Sequence, residues 1–78
     1  MAEDLKSIDF HGFTIEEAQD KIDKIVGQTR IVRKSVDYKC ITGNGELQLA
    51  VLAYLKDVYD IEGTLQYGNM GVILVNIE

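Results

Sequence analysis

Apolar and polar positions change their period several times along the chain, and each change marks an element. From Leu5 to Phe10 they alternate. Ile8 and Phe10 fall on one side and Ser7, Asp9 and, just beyond, His11 on the other, which is the period of two expected of a β-strand. Gly12 breaks this pattern. Thr14-Ile15-Glu16-Glu17 reads as a capping box, in which the threonine oxygen takes an orphan amide and the glutamate three residues on reaches back. Ile15, Ala18, Ile22, Ile25 and Val26 then recur at helical spacing. Gly27 either ends this helix or is tolerated inside one that runs on towards Arg33.

Val36 to Ile41 alternates again, with Val36, Tyr38 and Cys40 on one face, and Thr42-Gly43-Asn44-Gly45 is the turn after it. From Glu46 to about Tyr59, Leu47, Ala50, Val51, Tyr54, Leu55 and Val58 form the broad apolar stripe of a helix packed on a sheet. Thr64 to Tyr67 is a short strand, Gly68 to Gly71 a hairpin loop, and Val72 to Ile77 an almost unbroken apolar run of the kind buried on both faces. The predicted order is β-α-β-α-β-β, an α/β domain with a four-stranded mixed sheet and two helices. Strand-helix-strand crossovers are right-handed and join parallel strands, so the first three strands run one way and the last runs back through its hairpin. Their carboxyl ends then share one edge. That edge collects Asp9 to Gly12, Thr42 to Gly45 and Gly68 to Gly71, and carboxyl strand ends are where open α/β sheets bind ligands.

A chain of 78 residues leaves room for one domain, 1–78 with its core from about residue 5. Nothing approaches the roughly 18 uninterrupted apolar residues of a membrane span, and the first residues lack the basic and apolar regions of a signal peptide, so a cytoplasmic location away from membranes is expected. One cysteine and one histidine cannot build a disulfide framework or a four-ligand zinc site. The net charge of −5 argues against a dedicated nucleic-acid coat. Its distribution is less hostile, because six of the eight bases fall between residues 21 and 39, where the only acids are Asp23 and Asp37. That segment is either a solvated flank or a phosphate-contacting patch in which Arg30, Arg33, Lys34 and Lys39 steer an anion towards the loop edge.

Asp9 and His11, two apart on a strand, project from one face with β-carbons roughly 6.6 Å apart, within reach of a hydrogen bond after a small rotation. A carboxylate beside an imidazole orients the ring and favours its charged form, which suits acid or base work near neutrality. The structural reading of the same residues is an aspartate bonded to a turn amide and a surface histidine. Thr42 to Gly45 closes a strand and opens a helix, where unpaired amides and the helix dipole attract an anion. Lacking the lysine and length of a P-loop, it suits a single backbone phosphate better than ATP, and its bland reading is a tight connection with positive φ. Cys40 reads as core, and Met70 at the hairpin as exposed or ligand-touching. Base stacking by Tyr38, Tyr54, Tyr59 or Tyr67 is a weaker reading than packing.

Taken in order, these pieces resemble the Smr (small MutS-related) domain. Its aliphatic-Asp-x-His-Gly opening and capped helix match Ile8-Asp9-Phe10-His11-Gly12 and Thr14-Ile15-Glu16-Glu17-Ala18. Its His/Thr-Gly-x-Gly signature matches Thr42-Gly43-Asn44-Gly45, and its glycine-rich turn before a final apolar strand matches Gly68-Asn69-Met70-Gly71 with Val72 to Ile77. Ile8, Asn69 and Ile73 depart from the usual leucine, glycine and threonine. The resemblance implies a two-layer sandwich similar to the C-terminal domain of bacterial translation initiation factor three, with a first helix continuing through Gly27. It also implies the endonuclease activity on DNA or RNA that some members of the family have. In that reading Asp9 and His11 form the acid/base pair. Gly12, Thr42, Gly43, Asn44, Gly45, Gly68, Asn69 and Gly71 hold the substrate, with Arg33 and Lys34 contributing from the basic segment. A divalent ion (Mg or Mn) could bind through Asp9, although no visible cluster requires one. The alternative is a non-catalytic module whose loop edge docks nucleic acid, a ribosomal component or a protein.

Overall fold

A computed structural model describes residues 5–43 and 45–78. The elements follow the predicted order: β1 (Leu5–Asp9), α1 (Ile15–Val32), β2 (Val36–Ile41), α2 (Glu46–Tyr59), β3 (Thr64–Gln66) and β4 (Asn69–Ile77). They form one four-stranded mixed sheet in the order β1-β2-β4-β3. β1 and β2 are parallel, Asp9 opposite Ile41, and β4 runs antiparallel to both of its neighbours. The hairpin therefore folds back into the space beside β2 and leaves β3 on the outside.

The local reasons for α1 are the anticipated ones. Thr14 Oγ1 accepts from the Glu17 amide at 3.1 Å while Glu17 Oε1 accepts from the Thr14 amide at 2.9 Å. Glu16 and Glu17 sit on the positive end of the dipole. The helix passes through Gly27 because its buried face does not stop there. Ala18, Ile22, Val26 and Thr29 all lie against the sheet, and Thr29 Oγ1 shares a buried 2.6 Å hydrogen bond with the Tyr38 hydroxyl. One interior glycine costs about 1 kcal/mol, which the burial of Thr29 and the closing of its bond to Tyr38 offset. Arg33 ends the helix in the left-handed region at φ 62°. At the end of α2, Asp60 takes φ 57° and its amide bonds the Lys56 carbonyl, a left-handed C-cap, while the Ile61 amide reaches back to Leu55.

Both helices cover the same face. Ile22 and Val26 from α1, Val51 and Leu55 from α2, Tyr38 and Cys40 from β2, and Ile73, Val75 and Ile77 from β4 make one core, with Phe10 fully buried beneath the end of β1. Burial pushes the Cys40 thiol up to about 12, so it behaves as a small apolar side chain. The other face is open, which corrects the expectation that β4 is buried on both sides: Leu74 is half-buried and Asn76 exposed. Two boundaries also differ. β4 begins at Asn69 instead of Val72, and the hairpin turn falls at Tyr67 and Gly68, because Asn69 pairs with Gln66. The pairing between β3 and β4 shifts register between Leu65 and Gln66, a bulge that pattern alone does not reveal.

Candidate functional site

The carboxyl ends of β1, β2 and β3 share one edge, and backbone contacts bind the loops there into a unit. The Phe10 amide donates to the Ile41 carbonyl at 2.9 Å, so the first two strands leave the sheet at the same level. The Thr42 and Gly43 amides both donate to the Gly71 carbonyl at 3.0 Å. Gly71 lies so close to the loop after β2 that a β-carbon on it would stand 3.2 Å from Gly43 Cα. From the other side, the buried Gln48 side chain on α2 donates from Nε2 to the Met70 carbonyl, fastening the hairpin to the helix. Gln48 escaped notice in the sequence. Its signal is a polar residue beside the apolar stripe of α2.

Asp9 ends β1, and His11 sits in the turn that follows. The Asp9 carboxylate therefore accepts from the His11 backbone amide at 2.8 Å, as in an Asx turn, rather than bonding the ring across a strand face. The turn continues with Gly12 at φ 82° and with the Phe13 amide on the Phe10 carbonyl at 3.0 Å. Edge-to-face packing of Phe13 on Phe10, centroids 5.5 Å apart, anchors it to the core. The imidazole is left exposed, with no hydrogen bond or ion pair among the described residues.

The Thr42 to Gly45 segment is a tight connection first. Gly43 adopts φ 77° and Gly45 φ 148°, and Asn44 lies outside the described residues. With the Thr42 and Gly43 amides committed to Gly71, the amides left for an anion are those of the first turn of α2, Glu46 to Gln48, which no side chain among the described residues caps. In the hairpin, Gly68 adopts φ 84° and Asn69 Oδ1 accepts from the Gly71 amide at 3.2 Å, so Gly68, Asn69 and Gly71 shape the turn and its docking.

Charge divides the candidates. Asp9, Glu16, Glu17 and Glu46 gather at the loop edge, where His11 is the one basic side chain of the three loops. Arg33 and Lys34 do not join them. They follow an 18-residue helix that runs away from this edge, roughly 27 Å at 1.5 Å per residue, and lie at the opposite end of the sheet. Arg30 is also near that end, 5.5 Å from the Tyr59 ring centre, and Lys39 is on the open sheet face. Between the helices, the Tyr54 and Tyr59 hydroxyls both donate to Asp23, at 2.8 and 2.6 Å. That carboxylate pushes Tyr59 up to about 12 and Tyr54 upward too; the cluster braces α1 against α2. Among the described residues, no three histidine, cysteine or acidic side chains come together to hold a metal ion, and no helix is long and apolar enough to cross a membrane.

Comparison of the chain with protein-family models, with curated proteins and with solved structures returns no match.

Proposed function

We propose that the chain is a nucleic-acid-binding domain similar to Smr domains, which engages a phosphodiester at the loop edge and hydrolyses it with His11 as the proton-transfer group. The observation that carries this reading is an exposed imidazole held by a rigid turn on the same edge as the uncapped start of α2. In this mechanism the Glu46 to Gln48 amides and the helix dipole take a non-bridging phosphate oxygen. A water oxygen forms a bond to phosphorus as the bond to the leaving oxygen breaks. The imidazole accepts the water proton and returns it to the leaving oxygen. Asp9 is a positioning residue, since its carboxylate fixes the backbone that carries the ring.

A second reading is favoured by the four carboxylates at the loop edge and by the commitment of the Thr42 and Gly43 amides to Gly71. Both weaken attraction for a phosphate, and in this reading the edge docks a partner without chemistry. Supercoiled, nicked and single-stranded substrates incubated with and without chelator separate the two. Hydrolysis by the wild type that falls by at least about a hundredfold in His11→Ala, at unchanged melting temperature, supports the first. Asp9→Asn should lose less, because an amide oxygen still accepts the His11 amide. Equal cleavage by a folded His11→Ala protein removes His11 from the mechanism, and binding without cleavage by the wild type selects the docking reading.

A further inference from the structure

We infer that Tyr67 is a stacking platform for an unpaired base, so that the loop edge selects single-stranded nucleic acid over duplex. The inference rests on the nucleic-acid reading above and specifies its substrate. Each of the other three tyrosines has a partner: Tyr38 bonds Thr29 in the core, and Tyr54 and Tyr59 share Asp23. Tyr67 has none among the described residues and is fully exposed. Packing does not explain it.

Its position is nonetheless fixed. The last rung between β2 and β4 is Ile41 opposite Val72, so Asn69 lies three residues, about 10 Å, beyond the end of β2, and Tyr67 is at the turn past it. The projecting hairpin is held by the Gln48 bond to Met70, by two amides on the Gly71 carbonyl, and by Asn69 on the Gly71 amide. Gly68 at φ 84° closes the turn. The register shift between Leu65 and Gln66 leaves Met70 to Val72 opposite no β3 residue while Gln66 still pairs with Asn69, the kind of bulge that re-aims side chains beside a site. An aromatic ring on a pre-ordered support loses little freedom when a base stacks on it. Across the sheet, Tyr67 in the turn between β3 and β4 lies two to three strand spacings from β1, about 10–14 Å, which some three to four stacked nucleotides span at about 3.4 Å each. A strand stacked on Tyr67 can therefore reach His11.

The carboxylates of this edge oppose the strand's phosphates, so stacking, which draws on the π-face that every base offers, is the contribution that must hold the strand here. Duplex bases keep their faces against one another and offer nothing to Tyr67.

Binding of a short single-stranded oligonucleotide, the same strand lacking its bases, and the matching duplex should be titrated with wild type, Tyr67→Ala and Tyr67→Phe across a salt series. Tyr67→Ala should bind the intact single strand about tenfold more weakly with an unchanged log-log salt slope, Tyr67→Phe should match wild type, and the base-free strand should bind all three alike. Wild-type affinity of Tyr67→Ala for the intact strand overturns the inference while leaving the nucleic-acid reading standing. So does an equal loss on the base-free strand. If the wild-type protein binds neither strand nor duplex, both fall together.

Discussion

The two ends of the sheet are built on opposite terms. At the loop edge, backbone packs against backbone: the Gly71 carbonyl takes two amides, Gly43 and Gly71 nearly touch, and the connections use the left-handed region at Gly12, Gly43 and Gly68. At the other end, α1 runs out into solvent, Ile31 and Val32 stay exposed, and Arg33 and Lys34 crown the helix. The first end is acidic and geometrically constrained; the second is open and of mixed charge, with Arg30, Arg33 and Lys34 set among Asp60, Glu62 and Glu78. Residues that look like one functional segment in the chain are thus divided by the length of a helix. The glycines differ in the same way, since some hold a close approach and others occupy space that nothing contests.

Gly71→Ala should break the comparison at its most constrained point. The added β-carbon meets Gly43 backbone at 3.2 Å, and backbone in a glycine turn cannot rotate away as a side chain can. Separating the two loops strains both amide bonds to the Gly71 carbonyl. A destabilisation of about 1–3 kcal/mol in denaturant unfolding is expected, in the range of overpacked sites. A wild-type midpoint would mean the loops are not docked as described.

Gly27→Ala sharpens the contrast in the other direction. Gly27 is exposed in the interior of α1 and a β-carbon there meets nothing within 4 Å. Alanine should stabilise the protein by about 0.5–1 kcal/mol, since it reduces the freedom of the unfolded chain and favours helix. A lower stability in the same denaturant assay would show that the helix needs glycine at this point.

Gly27 also marks where the sequence stopped being decisive. Capping residues, apolar periods and turn glycines were enough for the order of six elements and for the edge on which three loops meet, because those signals are local. Whether α1 continued past Gly27 depended on Thr29 finding Tyr38 inside the core, a contact between elements. The place of β4 between β2 and β3 was likewise open, since a hairpin can fold to either side. At the candidate site, the Asp9 and His11 spacing left two arrangements open, a carboxylate against a ring or an aspartate on a turn amide beside a surface histidine. β1 ends at Asp9, one residue short of the alternating pattern, and that gives the second. The three-residue overhang that lifts Tyr67 above the edge depends on a register shift that no pattern of residue types encodes.

The smallest expected effect tests whether the two ends act separately. Were Arg33 and Lys34 part of the phosphate site, replacing both by glutamine would flatten the log-log salt dependence of oligonucleotide binding by roughly one unit for every phosphate no longer neutralised. The fold places them about 27 Å along α1 from the loop edge, several times the Debye length of about 8–10 Å at ordinary ionic strength. Their field is screened before it reaches a strand bound beside His11. Glutamine leaves the left-handed backbone at position 33 no more strained than arginine does, and thermal melting of the double variant beside the titration separates any loss of folding, including that from the Lys34 contact, from a loss of binding. The double variant should bind the single strand with wild-type affinity and slope. A slope flattened by a unit or more would mean that the bound strand runs the full length of α1, joining the two ends into one binding surface.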